Sequence, residues 1–253
     1  MANIFFEPGR HRAAKVRDLF ARIALRYDLL NDLQSFGLHR YWKRRLVRLA
    51  GARSGVLALD VCCGTGDIAL ALARQGAVVT GLDFSEEMLA VAKEKSKGRP
   101  AATERQRGEN PKAENLRFVH GDAQQLPFPD GSFDIVTIGY GLRNLADMEI
   151  GLREMQRVAK PGGRLLVLDF GKPDNPLWRS LYFGYLRLFV PLLGLVFCGS
   201  ASAYAYILES LKHYPAQQGV AAKMRQLGLA NVRIVQFLGG VMSINYAEKP
   251  ETR

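Results

Sequence analysis

The stretch Asp60-Val61-Cys62-Cys63-Gly64-Thr65-Gly66-Asp67 carries an acidic residue at the end of an apolar run, then two glycines around a threonine at the start of a helical pattern. Glycines at such a junction let the backbone approach a ligand closely, and the helix N-terminus offers unpaired N–H groups to a carboxylate or phosphate. Asp83 closes the next apolar run, 17 residues beyond Gly66. A carboxylate there can accept both hydroxyl hydrogens of a ribose. Thr65 and Asp83 in this order therefore point to a nucleoside-bearing ligand. The spacing Gly64-x-Gly66-x-x-Ala69 also fits a loose dinucleotide fingerprint, so NAD is an alternative. Cys62 and Cys63 have no histidine near them in sequence and read as small buried thiols rather than nucleophiles. Three cysteines and four scattered histidines predict no metal site and no disulfide framework.

Positioning these residues requires strands that end where they stand. From Val56 onward, short β-branched runs alternate with helical stretches, the signature of an α/β domain around a mostly parallel sheet. Expected strands are Val56 to Val61, Val78 to Asp83, Leu116 to His120, Phe133 to Gly139 and Arg164 to Asp169. Asp67 to Gln75, Glu86 to Lys95 and Asp147 to Val158 read as helices, with Ser85 as an N-cap. Pro161, Gly162 and Gly163 suggest a turn into the fifth strand. Asn231 to Gln236 and Val241 to Tyr246 read as a final antiparallel pair, since only four residues separate them. Lys97 to Glu114 holds five basic and three acidic residues without apolar periodicity and is expected to be a surface loop. Leu188 to Leu208 runs 21 residues without a charge. Its internal Pro191, glycines and serines argue against a membrane span and for an apolar cover over a cleft.

The 253 residues bear 35 Lys and Arg against 24 Asp and Glu, a net +11, and residues 1–50 hold 11 basic and 4 acidic ones. Such a patch suits nucleic acid, anionic lipid or a solvated face. Apolar residues make up 48% of the chain, which excludes a disordered or fibrous protein. Met1 to Arg10 lacks a charged segment followed by an apolar one, so a cytoplasmic location is expected. Two regions are expected: a basic helical one over residues 1–50 facing substrate and membrane, and a catalytic domain over 51–253 with the charged loop at 97–114 and the apolar cover at 177–208.

The strand-loop segment from Asp60 through Gly66 resembles the first motif of the class I S-adenosylmethionine (SAM)-dependent methyltransferases, which usually have glycine at the place of Cys62. Gly121-Asp122-Ala123 resembles their adenine-binding segment, and Leu126-Pro127-Phe128-Pro129-Asp130 with Phe133-Asp134 their entry to the fourth strand. Arg26-Tyr27-Asp28-Leu29-Leu30-Asn31-Asp32 with Ser35 to Lys43 looks like the N-terminal signature of the quinone-biosynthesis C-methyltransferases. Tyr140-Gly141-Leu142-Arg143-Asn144 and Arg157 to Arg164 are similar to two further segments of that family, with departures at Ala159, Asp169 and Gly171. The resemblance implies a Rossmann-like sheet with helices on both faces and an antiparallel C-terminal strand. It also implies a SAM site at Asp60, Gly64, Thr65, Gly66, Asp83, Asp122, Ala123 and Gly139. Asp122 would accept the adenine amino hydrogens, and Ala123 would offer its N–H to a ring nitrogen.

The implied reaction is C-methylation of a polyprenylated quinol, demethylmenaquinol first, with the benzoquinol precursor of ubiquinone as the alternative. The sulfonium methyl is already activated, so the enzyme must align the ring carbon and make it nucleophilic. A phenolic hydroxyl has a pKa of about 10, so ionising it at pH 7 costs ~4 kcal/mol. Arg143, after the fourth strand, is the candidate to offset this, directly or through a water; His39 is the alternative base. The local alternatives are pairing of Arg143 with Asp147, four residues on, and packing of His39 beneath the N-terminal helix. An insoluble prenyl tail implies transient, peripheral binding at the inner face of an anionic membrane, through Lys43, Arg44, Arg45 and the uncharged stretch. A homo-oligomer is compatible with all of this. A nucleic-acid methyltransferase would explain the charge but lacks the expected Asn or Asp-Pro-Pro-aromatic segment after the fourth strand. An NAD oxidoreductase leaves the N-terminal signature unexplained, and a noncatalytic SAM-binding protein is the third rival.

Overall fold

The computed structural model describes residues 18, 20–97, 115–198 and 202–251. Helices α1 (Tyr27–Ser35) and α2 (Leu38–Ala50) precede β1 (Leu57–Val61), α3 (Asp67–Arg74), β2 (Val78–Asp83), α4 (Glu86–Lys97), β3 (Leu116–His120) and β4 (Phe133–Gly139). Then follow α5 (Met148–Val158), β5 (Ala159–Phe170), α6 (Pro176–Cys198), α7 (Ser202–His213), α8 (Ala216–Gln226), β6 (Ala230–Phe237) and β7 (Met242–Glu248). The seven strands form one sheet in the order β3-β2-β1-β4-β5-β7-β6. β7 runs antiparallel to both of its neighbours, and β1 to β5 are parallel. This is the expected architecture, reversed C-terminal strand included.

Alternation along the central strands divides the core in two. Ile135, Leu166 and Leu168 face one way and pack with Leu46, Val47 and Leu72 of α2 and α3. Val136, Ile138, Leu165 and Val167 face the other and meet Leu152 and Met155 of α5 and Val220 and Met224 of α8. Parallel sheets need both faces covered, and both are. Two of the helices start at side-chain caps. Asp147 Oδ1 accepts from the N–H groups of Glu149 and Ile150 at 2.8 and 3.1 Å, and Ser85 Oγ accepts from Met88 N–H at 3.3 Å.

The fifth strand differs from expectation. It begins at Ala159 and runs through the Pro161-Gly162-Gly163 segment read as a turn. Gly162 has φ 72°, and the pairing with β4 slips between Phe133 and Ile135, so the glycines form an irregularity within the strand. The segment stays paired because Gly162 N–H donates to Lys249 O at 2.8 Å and Lys249 N–H to Gly163 O at 2.9 Å. The apolar stretch after Leu188 falls in α6 and α7, and among the described residues no helix is long and apolar enough to cross a membrane. Tyr182, Leu186 and Val190 turn into the core while Leu177, Leu181, Leu188 and Leu192 are exposed. The charged stretch expected as a loop lies outside the described residues apart from Lys97, the last residue of α4.

Candidate active site

Strand order changes direction between β1 and β4, and a cleft opens at the carboxyl ends of the strands there, where open α/β sheets hold ligands. It encloses about 820 Å³ with its mouth and is lined at its base by Cys62, Gly64, Asp83, Asp122, Ala123 and Gly139. Phe84, Met88 and Leu145 give it apolar walls, and Phe20 and Tyr27 from the N-terminal segment wall it from above. These five, with Tyr140 and Asn144, are lining residues that the spacing arguments did not single out. Tyr27 stood inside the N-terminal signature, but nothing in its local pattern says that it faces a ligand.

Asp83 is the best prepared acceptor. Its Oδ2 accepts from Gly64 N–H at 2.7 Å and its Oδ1 from Ser85 N–H at 2.9 Å, which fixes the carboxylate while leaving each oxygen a further lone pair. Burial raises its pKa, with those amide donors opposing the rise. Asp122 Oδ1 accepts from Gln124 N–H at 2.8 Å. The glycines matter through space: a Cβ on Gly139 would lie 2.4 Å from Ile68 Cδ1, and one on Gly121 2.9 Å from Leu82 Cδ1. Both glycines are thus required by the side chains packed behind the cleft floor. Tyr140 lines the cleft with its buried hydroxyl unpartnered among the described residues. Leaving such a group unmet costs about 1–3 kcal/mol.

Three of the expected cofactor residues do not reach the cleft. Asp60 is 1% exposed behind the loop, where Oδ1 accepts from Thr137 Oγ1 at 2.7 Å and Oδ2 from Ala69 N–H at 3.1 Å. It ties the start of α3 to β4. Burial pushes its pKa up to about 7 against those two hydrogen bonds. Thr65 donates to Asp28 Oδ1 at 2.8 Å, and Gly66 is the left-handed N-cap of α3, close against Ala92 and Phe118. These three shape the loop instead of lining the cavity.

Cys62 has φ 52°, the left-handed conformation in which glycine is free and other residues are strained. That explains the usual glycine at its place. Burial, then the nearby Asp83, raises the pKa of both thiols, which keeps them protonated and inert. Among the described residues no group of acidic, cysteine or histidine side chains could hold a metal.

Neither catalytic candidate, the cation Arg143 nor the base His39, lines the cleft. Arg143 is 6% exposed, and its guanidinium donates to Asp169 Oδ1 at 2.5 Å and to Tyr140 O at 2.8 Å, with Phe170 beneath it at 4.7 Å. Its partner is thus Asp169 across the sheet, while Asp147 caps α5. Burial raises the Asp169 pKa even with Arg143 beside it. His39 is buried in α2 with Nε2 2.8 Å from Asp32 Oδ1, and burial, then Lys43, lowers its pKa. Lys43, expected on a membrane-facing surface, is only 8% exposed and bonds Asp67 Oδ2 at 2.8 Å; it is an interior cation. Two segments of the resemblance converge in a structural clamp. Arg157 donates to the carbonyls of Phe128 and Leu126 at 2.8 and 2.9 Å and pairs with Glu154 and Asp130 at 2.7 Å each.

Residues 10–249 match the ubiE/COQ5 methyltransferase family. The chain belongs to that family. A demethylmenaquinone methyltransferase of Staphylococcus aureus is 40% identical over 244 residues, 94% of this chain and 95% of that protein. A SAM-dependent methyltransferase of Aquifex aeolicus shares the fold at TM-score 0.55 and 18% identity, over 81% of this chain and 88% of that one. So does phosphoethanolamine N-methyltransferase 2 of Haemonchus contortus, solved with SAM, at TM-score 0.57 and 18% identity over 83% of this chain and 52% of that one. The chain is therefore a SAM-dependent methyltransferase, which sets aside the NAD oxidoreductase and the noncatalytic readings. The cleft offers a cofactor an anchored carboxylate at Asp83 and apolar walls around it.

Proposed function

We propose that this methyltransferase places a methyl group on a ring carbon of a polyprenylated quinol, with demethylmenaquinol as the substrate. The observation that carries the reading is the 40% identity to the demethylmenaquinone methyltransferase over nearly the whole of both chains. The benzoquinol precursor of ubiquinone is the second reading, because the family name spans both. SAM supplies a methyl on a positively charged sulfur, so no further activation of the donor is needed. Asp83 orients the ribose, Asp122 and Ala123 take the adenine, and Gly64 and Gly139 leave room for the cofactor's chain. Phe20, Tyr27, Met88 and Leu145 keep water out, which strengthens every electrostatic interaction inside.

The acceptor hydroxyl must pass its proton to water for its ring carbon to attack. Arg143 acts as a positioning residue behind the cleft, where its bonds to Asp169 and to the Tyr140 carbonyl hold the end of β4 in shape. His39 stands outside the cleft, bonded to Asp32, and so does not reach the quinol as a base.

The tail brings the enzyme to the bilayer. Along α6, Leu177, Leu181, Leu188 and Leu192 are 71, 59, 74 and 53% exposed, a stripe about 22 Å long at helical rise. Phe36, 74% exposed at the end of α1, meets it through a ring contact with Tyr185, which in turn stacks on Phe189. Arg187 is exposed on α6 itself, and Arg44 is exposed on α2. An exposed apolar stripe on a helix that also exposes Arg187 suits reversible seating on an anionic leaflet. The function is tested in cells lacking the protein: they should accumulate the demethylated quinone, seen by mass spectrometry, and a normal quinone profile would refute it.

A further inference from the structure

Phe20 and Tyr27 wall the cleft but belong to a segment that adds no strand to the sheet. Tyr27 lies directly on the cofactor loop, its Cε1 4.0 Å from where a Gly64 Cβ would be. What seats this segment is a chain of charges outside the cleft. Asp28, next to Tyr27 on α1, accepts from Thr65 Oγ1 through Oδ1 and pairs with Lys95 of α4 through Oδ2. Lys95 also bonds Asp67 Oδ1 at 3.0 Å, at the first residue of α3, and Asp67 Oδ2 takes Lys43 of α2 at 2.8 Å. Two carboxylates and two ammonium groups thus join four helices around the loop that carries Gly64. The Asp28, Lys95 and Asp67 side chains are each about 30% exposed, so water screens them less than surface pairs. Burial would push the Asp67 pKa up, but Lys43 and then Lys95 hold it down at about 2, so the cluster is charged at neutral pH.

We propose that Asp28 and Lys95 are positioning residues that latch the N-terminal segment over the bound cofactor and thereby set the rate at which SAM and its demethylated product leave. The pair touches no reacting atom. With the segment seated, Phe20 and Tyr27 cover the ligand; a ligand leaving the cleft must displace them, and the Asp28 to Thr65 and Lys95 bonds are what that motion breaks. The inference rests on the cleft being the cofactor site.

The test measures dissociation of labelled SAM from the intact protein by chase, with turnover at saturating SAM and amide exchange over residues 20–35 of the SAM-bound enzyme. Asp28→Asn and Lys95→Met should release SAM roughly five- to tenfold faster and expose those amides to faster exchange, without lowering turnover at saturation. Lys95→Arg should restore the wild-type rate. Wild-type dissociation in both variants, while Asp83→Ala weakens binding, would overturn the latch alone. A parallel fall of turnover and urea midpoint with dissociation unchanged would make the cluster merely structural. Unchanged affinity in Asp83→Ala would overturn the cleft reading, and the latch with it.

Discussion

Replacing Arg143 by Ala tests how the end of β4 is built. Asp169 is 2% exposed and receives the guanidinium at 2.5 Å, the Arg143 N–H at 3.3 Å and the Phe170 N–H at 2.8 Å. Truncating one partner of such a buried pair leaves an uncompensated charge, with a cost of about 3–5 kcal/mol. That is a large share of the 5–15 kcal/mol by which folded domains are stable. The loss has a defined pH dependence. The folded pKa of Asp169 lies above its unfolded value, so the folded protein binds this proton more tightly and stability from this group falls as pH rises between the two values. Without Arg143 the folded pKa rises further and the window widens upward. Urea unfolding of the variant should therefore show its full deficit at pH 7.5 and a smaller one at pH 5, and Asp169→Asn added to Arg143→Ala should recover part of it. A deficit under about 1 kcal/mol at pH 7.5, or one that grows on acidification, would refute the pairing argument. Since turnover will fall with stability in this variant, Arg143→Lys at saturating SAM is the probe of its positioning role at the end of β4, with slower turnover and unchanged SAM affinity expected.

Further outcomes are expected. Asp83→Ala should weaken SAM binding by ~1.5–3 kcal/mol in calorimetry, and unchanged affinity would remove the ribose role. Arg157→Gln should destabilise the fold by about 2–3 kcal/mol in urea unfolding while leaving SAM affinity intact, because its carbonyl and carboxylate partners lie away from the cleft. Flotation with anionic vesicles should be salt-sensitive and be lost in Leu188→Ser with Phe189→Ser; equal recovery with neutral vesicles would exclude the electrostatic part.

Strand positions were legible because β-branched runs end at turn residues, and the junction at Gly64 to Gly66 and the acceptor Asp83 follow from where those runs stop. The lining by Asp122, Ala123 and Gly139 was legible only through the family resemblance. What pattern could not show are contacts made across the fold. Helical spacing proposes Asp147 for Arg143, yet the sheet supplies Asp169, 26 residues away. Lys43 reads as one of a run of surface cations, but Asp67 and the ring of Tyr140, 5.9 Å from its nitrogen, draw it inside. The Gly171 departure likewise makes sense only in space: a Cβ there would stand 2.2 Å from Gly240 O.

Methyl transfer itself is the most direct measurement. Purified protein is incubated with SAM carrying a ¹³C methyl and either demethylmenaquinol or the benzoquinol precursor, both kept reduced, and the product is read by mass spectrometry and carbon NMR. The expected result is label on a ring carbon of the naphthoquinol, with slower or no transfer to the benzoquinol. Label on a hydroxyl oxygen, or none on either quinol while SAM binds normally, would contradict C-methylation of a quinol.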